Sequence, residues 1–218
     1  MAFIKRYARN IFRLLGYDIV NYSRNNDAKV ILSKALRSHE VDFVIDIGAN
    51  VGQYGKYLRS LGYTGSIVSI EPMRVEQKML VNLADSDANW VIVPPMAIGD
   101  HDGLVEFNIA ANSGSSSLLD MLDVHKDAAP DSFYIGKEIV PIYKLDTFSD
   151  QFVDESFKRL FLKIDVQGAE WSVLDGGEET LKRVVGIMCE CSFTPLYAGE
   201  APWLDLIQRI ERMGFEIW

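Results

Sequence analysis

The chain has 218 residues, 48% of them hydrophobic and 24% charged, a composition that suits one soluble domain with a substantial core. Its formal net charge is −9, which argues against a general nucleic-acid binder, because such proteins present a basic face. No apolar run is long enough to span a membrane. The two cysteines, Cys189 and Cys191, are too close in the chain for a structural disulfide, so we expect a reducing, cytoplasmic environment.

Residues 3–15 predict an amphipathic helix. Apolar side chains recur at every fourth position, at Phe3, Tyr7, Ile11 and Leu15. A basic row lies on another face, at Lys5, Arg9 and Arg13. The segment lacks the continuous apolar stretch and the cleavage site of a signal peptide. Two interpretations stay open: a helix packed on the domain edge, or one that docks on a membrane surface or on a partner such as a second copy. We expect residues 1–40 to form this helical segment and residues 41–218 to form the main domain.

From residue 43 onward, short apolar runs typical of buried strands alternate with helical patterns. The predicted strands cover residues 43–47, 66–70, 90–93, 104–110, 139–143, 160–165, 184–189 and 215–218. The predicted helices cover residues 51–61 and 203–213 and two segments that begin at Pro72 and Glu170. Strand 104–110 alternates apolar and polar residues and is therefore expected to be antiparallel. Together these elements predict an α/β fold: a doubly wound, mostly parallel, Rossmann-like sheet with helices on both faces.

Residues 111–138 differ from the rest of the chain, because they are polar and rich in turn-forming residues. A connector of this length is unusual in a compact domain, so we predict a substrate loop or lid. At the other end, the sequence stops barely into the strand predicted for residues 215–218. A closing strand there is expected to be either truncated or absent.

The stretch from Val44 to Gln53 carries the strongest functional signal, because a buried strand runs into a glycine turn and then a helix. Such a turn lets a ligand approach the backbone closely. Glu71 follows Gly48 by 23 residues, and an acid at the end of the second strand accepts the ribose hydroxyls of an adenosine cofactor. The dinucleotide fingerprint needs glycines at positions 48, 50 and 53. Asn50 and Gln53 break that register.

The same stretch resembles the first motif of class I methyltransferases, with the pattern Asp46-x-Gly48-x-Asn50-x-Gly52. Three further segments resemble the FkbM family of S-adenosylmethionine-dependent methyltransferases in order and spacing: residues 95–100, 140–147 and 162–170. The resemblance covers roughly residues 40–218 and implies transfer of a methyl group to a hydroxyl of a sugar, a polysaccharide precursor or a natural product. The chain departs from the family at Gln167, where the family usually has glutamate, which weakens any role that needs a carboxylate there.

The resemblance implies a set of cofactor-binding residues: Asp46, Gly48, Asn50, Gly52, Gln53, Glu71, Pro72, Ala97, Ile98 and Asp165. By analogy, Asp46 and Asn50 hold the charged amino-acid end of S-adenosylmethionine. Candidate acceptor contacts are Tyr54, which follows the glycine turn, and three residues of the predicted lid: Ser115, Ser116 and His125. The acceptor itself is expected to be a small molecule or a glycan.

Asp165 and Glu190 are the candidate catalytic residues, because each ends a predicted strand and ligands of open α/β sheets bind at the carboxyl ends of strands. Either carboxylate could take the proton from an alcohol acceptor. Asp165 could instead cap the following helix, and Glu190 could be paired in the core. The two carboxylates with a substrate diol could also hold Mg²⁺, but no third ligand is evident, so we assign no metal.

Two other functions stay open. One is an NAD(P)-dependent oxidoreductase on a similar fold, although the glycine register fails and no Tyr/Lys or His/Asp hydride-transfer set is evident. The other is a catalytically silent protein that binds S-adenosylmethionine and transfers nothing. Retention of Asp46, Glu71 and Asp165 argues against the second of these.

Overall fold

A computed structural model of the protein describes residues 27–217. The amphipathic helix predicted for residues 3–15 lies outside these residues. The strands are β1 (Phe43–Ile47), β2 (Ser66–Ile70), β3 (Trp90–Ile92), β4 (Ala97–Gly99), β5 (Gly103–Ala110), β6 (Tyr134–Lys144), β7 (Leu160–Ile164) and β8 (Val184–Cys189). The α-helices are α1 (Ala28–Ser38), α2 (Gln53–Ser60), α3 (Arg74–Ala84), α4 (Asp123–Ala128), α5 (Leu145–Phe152), α6 (Glu170–Asp175) and α7 (Trp203–Arg212).

Five strands form one parallel sheet in the order β3-β2-β1-β7-β8. Strands β1 and β7 are central and buried along their whole length, as their mostly apolar sequences require. The chain moves outward from β1 to β3 and later returns to the other side of β1 with β7. The order therefore reverses between β1 and β7, which is where open α/β sheets bind ligands. The predicted doubly wound α/β fold is confirmed.

Alternate residues of the central strands face opposite sides of the sheet, and each side has its own helices. Val44 belongs to a cluster that includes side chains of α1, α2 and α3. Its neighbour Ile45 belongs to a second cluster that includes side chains of α5, α6 and α7. The apolar strand sequences therefore result from burial on both faces.

A second sheet of three strands, in the order β4-β6-β5, lies beside the main one. Strand β5 is antiparallel to β6, as predicted for residues 104–110. Residues 111–138 are more regular than the predicted loop: β6 begins at Tyr134, and helix α4 and two 3-10 turns, Ser113–Ser115 and Pro130–Ser132, precede it. The register with β5, which pairs Phe107 with Glu138, explains why β6 extends past the apolar residues.

The strand predicted for residues 215–218 is wrong over residues 215–217, which form neither helix nor strand. Gly214 has a φ of 95° just after α7, and the Phe215 amide returns to the carbonyl of Ile210. Phe215 then packs against the core from a turn, so its apolar character reflects burial without strand pairing. Within residues 27–217, no helix is both long enough and apolar enough to cross a membrane.

Candidate functional site

A cavity of about 480 Å³ lies at the carboxyl ends of β1, β2, β7 and β8, a volume typical of small-molecule sites. Most of the residues predicted for the site line it: Gly48, Asn50, Gln53, Tyr54, Glu71, Pro72, Ala97, Ile98, Ser116, Asp165 and Glu190. The other four predicted residues do not belong to its lining: Asp46, Gly52, Ser115 and His125. The predicted residues therefore form two groups, one that lines the cavity and one that does not.

Glu71 fixes the cavity wall beyond the end of β2. Its carboxylate accepts hydrogen bonds from the backbone N–H of Asn50 at 2.8 Å and of Met73 at 2.9 Å. Burial raises the pKa of Glu71 to about 7, although these two N–H donors oppose the shift. A carboxylate offers about four acceptor positions, so Glu71 keeps capacity for two ligand hydroxyls.

The glycine turn after β1 needs left-handed backbone at three positions: φ is 75° at Gly48, 49° at Asn50 and 90° at Gly52. At Gly48 a Cβ would collide with the backbone carbonyl oxygen of Asp165, so glycine lets the two strand ends approach. At Gly52 a Cβ would meet Leu80 and Leu83 of α3. Gly52 therefore serves helix packing, whereas Gly48 shapes the cavity.

Asp46 lies behind the cavity wall, fully buried. Its Oδ2 accepts a hydrogen bond from Ser69 Oγ at 3.0 Å, and its Oδ1 lies 3.2 Å from the ammonium nitrogen of Lys163. Burial raises the pKa of Asp46, and Lys163 opposes that rise. In this arrangement Asp46 forms an ion pair beneath the turn, and its contact with the cofactor stays a prediction.

Lys163 lines the cavity and was not singled out by the sequence analysis. Its Nζ donates to the carbonyl oxygen of Gly48 at 2.9 Å and lies 3.4 Å from Asp165 Oδ2. Burial lowers the pKa of Lys163, but the carboxylates of Asp46 and Asp165 outweigh burial and raise it. The available signal was a lysine inside the buried strand β7, since a buried charge requires a partner.

Asp165 and Glu190 lie side by side at the ends of β7 and β8 and are hydrogen-bonded to each other. Gln167 Nε2 donates to both, at 2.8 Å to Asp165 and 2.7 Å to Glu190. The hydrogen bond with Asp165, and then burial, raises the pKa of Glu190 to about 7. Burial would raise the pKa of Asp165, but Lys163 and the hydrogen bonds lower it on balance. Of the two carboxyl groups, Glu190 therefore binds a proton first as pH falls toward neutrality.

The alternative roles that the sequence allowed for these carboxylates do not match the geometry. Helix α6 is preceded by Ala169 as its N-terminal capping residue, so Asp165 does not cap it. Glu170, in the first turn, accepts hydrogen bonds from the backbone N–H of Val166 and Gly168, each at 3.2 Å. Glu190 is exposed to the cavity and is therefore not a core residue.

The predicted acceptor contacts divide into two groups. Tyr54 and Ser116 line the cavity; the ring centroid of Tyr54 lies 5.7 Å from Lys163 Nζ. Ser115 Oγ instead donates to Ser132 Oγ at 3.1 Å. His125 is buried, with its ring edge-on to Tyr197 at 5.1 Å between centroids. The structure thus places Ser115 and His125 behind the wall.

Ser113 is a cavity residue that the sequence analysis did not single out. Its hydroxyl accepts a hydrogen bond from Asn50 Nδ2 at 3.1 Å, which ties the 113–117 segment to the glycine turn. The serine run was visible in the sequence, but the partner lies 63 residues away.

Comparison with known proteins assigns this site to a family. The model of the FkbM methyltransferase domain matches residues 46–217. The chain belongs to the FkbM methyltransferase family. The 2-O-methyltransferase NoeI of Sinorhizobium fredii is 27% identical to the chain over 178 residues, which cover 77% of this chain and 72% of that protein. No solved structure matches the chain significantly.

This FkbM domain is therefore a methyltransferase domain whose cavity is bounded by the glycine turn, Glu71 and the Asp165–Glu190 pair. Across residues 27–217, no group of three or more His, Cys, Asp or Glu side chains is arranged to hold a metal ion. The polar part of the cavity wall consists of ionisable side chains, amides, hydroxyls and backbone groups.

Proposed function

We propose that this chain is an S-adenosylmethionine-dependent O-methyltransferase that acts on a hydroxyl of a glycan or another polyhydroxylated small molecule. One observation carries the proposal. A single cavity joins a buried acid suited to ribose hydroxyls, Glu71, to two neighbouring carboxyl groups, Asp165 two strands away and Glu190 three strands away. The proposed cofactor site and the proposed base therefore share one edge of the sheet.

The residues present fit S-adenosylmethionine. Glu71 has acceptor positions left for the two ribose hydroxyls. Gly48 brings the backbone to the cavity where a larger side chain would collide with Asp165, and Asn50 and Gln53 offer polar groups in the wall. The cofactor, when bound, supplies an electrophilic methyl group, so the protein mainly supplies alignment and exclusion of water.

The carboxyl pair provides the base that an alcohol needs. An attacking hydroxyl must lose its proton, and a base works best when its pKa lies near the operating pH. Glu190, with its pKa raised to about 7, meets that condition. Lys163 beside Asp165 favours the ionised form of Asp165, so the mobile proton resides on Glu190. In our proposal Glu190 in its ionised form accepts the proton, and Asp165 keeps Glu190 in position.

The polar wall supports a polyhydroxylated acceptor. Ser113, Ser116 and Gln167 line the same cavity as the carboxyl pair and can hydrogen-bond hydroxyl groups. The similarity to a protein named as a 2-O-methyltransferase supports oxygen as the methylated atom.

The first test is calorimetric titration of the full chain with S-adenosylmethionine, NAD and NADP in parallel. We expect micromolar binding of S-adenosylmethionine alone, weakened about 10- to 100-fold by Glu71→Ala, since hydrogen bonds to a carboxylate are lost. Glu211→Ala removes an exposed carboxylate at the end of α7 and should bind like the parent. Binding of a nicotinamide dinucleotide in place of S-adenosylmethionine would refute the proposal.

The second test is transfer of radiolabelled methyl from S-adenosylmethionine to a panel of monosaccharides and oligosaccharides. The product is analysed by mass spectrometry and NMR, which locate the methyl group on oxygen or nitrogen. A methyl ether on a sugar is expected. Tight cofactor binding without transfer to any sugar would favour the catalytically silent alternative.

A further inference from the structure

Gln167 has an unusual backbone for a residue with a side chain. Its φ is 54°, in the left-handed region that few residues other than glycine and asparagine adopt. The backbone carbonyl accepts a hydrogen bond from Ser117 Oγ at 2.6 Å. This conformation directs the side chain into the cavity, where it lies between the ends of β7 and β8.

The amide group of Gln167 matches its surroundings in hydrogen-bonding capacity. Both N–H bonds of Nε2 are used, one on Asp165 Oδ1 and one on Glu190 Oε2. The oxygen, Oε1, accepts from the hydroxyl of Tyr197 at 3.0 Å. Only this orientation of the amide places donors on both carboxyl groups, because the reverse would set Oε1 against them. A glutamate at this position would present only acceptor oxygens to the carboxyl oxygens of Asp165 and Glu190.

Tyr197 ties this amide to the segment that carries the cavity serines. Its side chain is buried, and its hydroxyl lies 3.0 Å from both the Ser115 carbonyl oxygen and Gln167 Oε1. A phenol has one proton, so the two acceptors share it. The Tyr197 hydroxyl thus contacts both the 113–117 segment and the Gln167 amide. A residue outside the loop of Gln167 therefore helps to fix the position of that amide.

We propose that Gln167 is a positioning residue whose amide holds Asp165 and Glu190 together as the proton-accepting pair, with Tyr197 setting the orientation of that amide. The proposal rests on the proposed function for the role of the pair in catalysis. Gln167 itself takes no proton. It acts by donating to the ionised forms of both carboxyl groups, which keeps the pair available as a base near neutral pH.

The groups that interact with the pair come from several elements: Lys163 of β7, Asp46 of β1, Glu170 of α6, Cys189 of β8, and Tyr197 of the segment that follows β8. The ammonium group of Lys163 contacts Asp165. Asp165 and Glu170 both disfavour ionisation of Glu190. Removal of the Gln167 N–H donors should therefore mainly raise the pKa of Glu190.

The test is a ¹³C-NMR titration of the full chain labelled at glutamate carboxyls, with no ligand added. The Glu190 signal is identified by its absence in Glu190→Gln. In the parent we expect a midpoint near pH 7. Gln167→Met keeps a similar size without donors and should raise the midpoint by about one pH unit, a tenfold change in proton affinity.

Two further variants keep the test decisive if Gln167→Met does not fold. Gln167→Asn retains an amide that suits left-handed backbone but is one methylene too short to reach both carboxyls, so its midpoint should also rise. Tyr197→Phe should give a smaller rise in the same direction. Gln151→Met, an exposed position on α5 outside the cavity, serves as the matched control and should leave the midpoint unchanged.

An unchanged Glu190 midpoint in the folded Gln167 variants would overturn the proposal, because a structural role alone would alter stability without altering the titration. The outcomes for the two proposals are separate. The titration uses no cofactor, so its failure leaves the binding of S-adenosylmethionine untouched. A shifted midpoint in a protein that binds no S-adenosylmethionine would retain the hydrogen-bond network and refute the assigned function.

Discussion

Replacement of Lys163 by methionine is the sharpest test of how the site is built. The ammonium group of Lys163 bonds the Gly48 carbonyl and lies within 3.4 Å of two carboxylates, those of Asp46 and Asp165. Lys163 is 7% exposed and Asp46 is 0% exposed. Methionine has a similar length and no charge. The variant therefore leaves the Asp46 carboxylate buried with Ser69 as its neutral donor.

The expected loss of unfolding free energy is about 3–5 kcal/mol at pH 7, the range found when one partner of a buried ion pair is removed. That is a large fraction of the ~5–15 kcal/mol that stabilises a typical domain. A second variant, with Lys163→Met and Asp46→Asn together, removes the orphaned charge. It should recover more than half of the loss, because desolvation of the unpaired charge, rather than the missing attraction, dominates the cost.

Urea unfolding followed by circular dichroism and tryptophan fluorescence measures these changes. Lys182→Met removes an exposed lysine paired with Glu179 and should have little effect. In Lys163→Met, burial without a cation raises the Asp46 pKa further, so the folded state holds a proton that the unfolded chain has lost. Stability should then fall as pH rises above the ordinary aspartate pKa of 3.8. A loss smaller than about 1 kcal/mol, or no recovery in the double variant, would show that the pair is solvated.

Other substitutions test the glycine turn and Glu71. Gly62→Ala adds a Cβ at a φ of 81° with no heavy atom within 4 Å, so it should cost only the left-handed strain of about 1–2 kcal/mol. Gly48→Ala, at a φ of 75°, also collides with the Asp165 carbonyl and should cost about 2 kcal/mol more; equal losses in urea unfolding would contradict this. Because the Glu71 pKa is raised to about 7, calorimetric affinity for S-adenosylmethionine should rise about tenfold from pH 6 to 8 as Glu71 ionises. The affinity of Glu71→Gln should not vary with pH, and a flat profile in the parent would exclude an ionised Glu71 at the ribose.

The strands of the main sheet could be predicted because burial on both faces requires a short run of mostly apolar residues. Strands β1 and β7 are uninterrupted apolar runs except for Asp46 and Lys163. Strand β4 has only three residues and gives no periodic signal. The first half of β6 was missed because its exposed residues include Gly136 and Lys137, which do not favour a strand. Its pairing with β5 stabilises the strand there.

The candidate site likewise has one part that could be predicted from the sequence and one part that could not. The cavity lining around Gly48 and Glu71 could be predicted, because spacing along one βαβ unit determines it. The partners of Lys163 and Gln167 could not. Asp46 becomes a neighbour of Lys163 only when β1 pairs with β7, 117 positions apart in the chain, and sheet order is not encoded in any single segment.

The position of Lys163 links Asp46, inside β1, to two groups of the cavity wall. One ammonium group bonds the turn that begins at Gly48 and contacts Asp165 of the carboxyl pair. The glycine turn and Asp165 are therefore both held by the Lys163 ammonium nitrogen, which also contacts Asp46. A displacement of Asp46 would move both, and misplacement by about 1 Å can cost a hundredfold in rate. Under the proposed function, Asp46 would contribute to methyl transfer through Lys163, by fixing the distance between the glycine turn and Asp165.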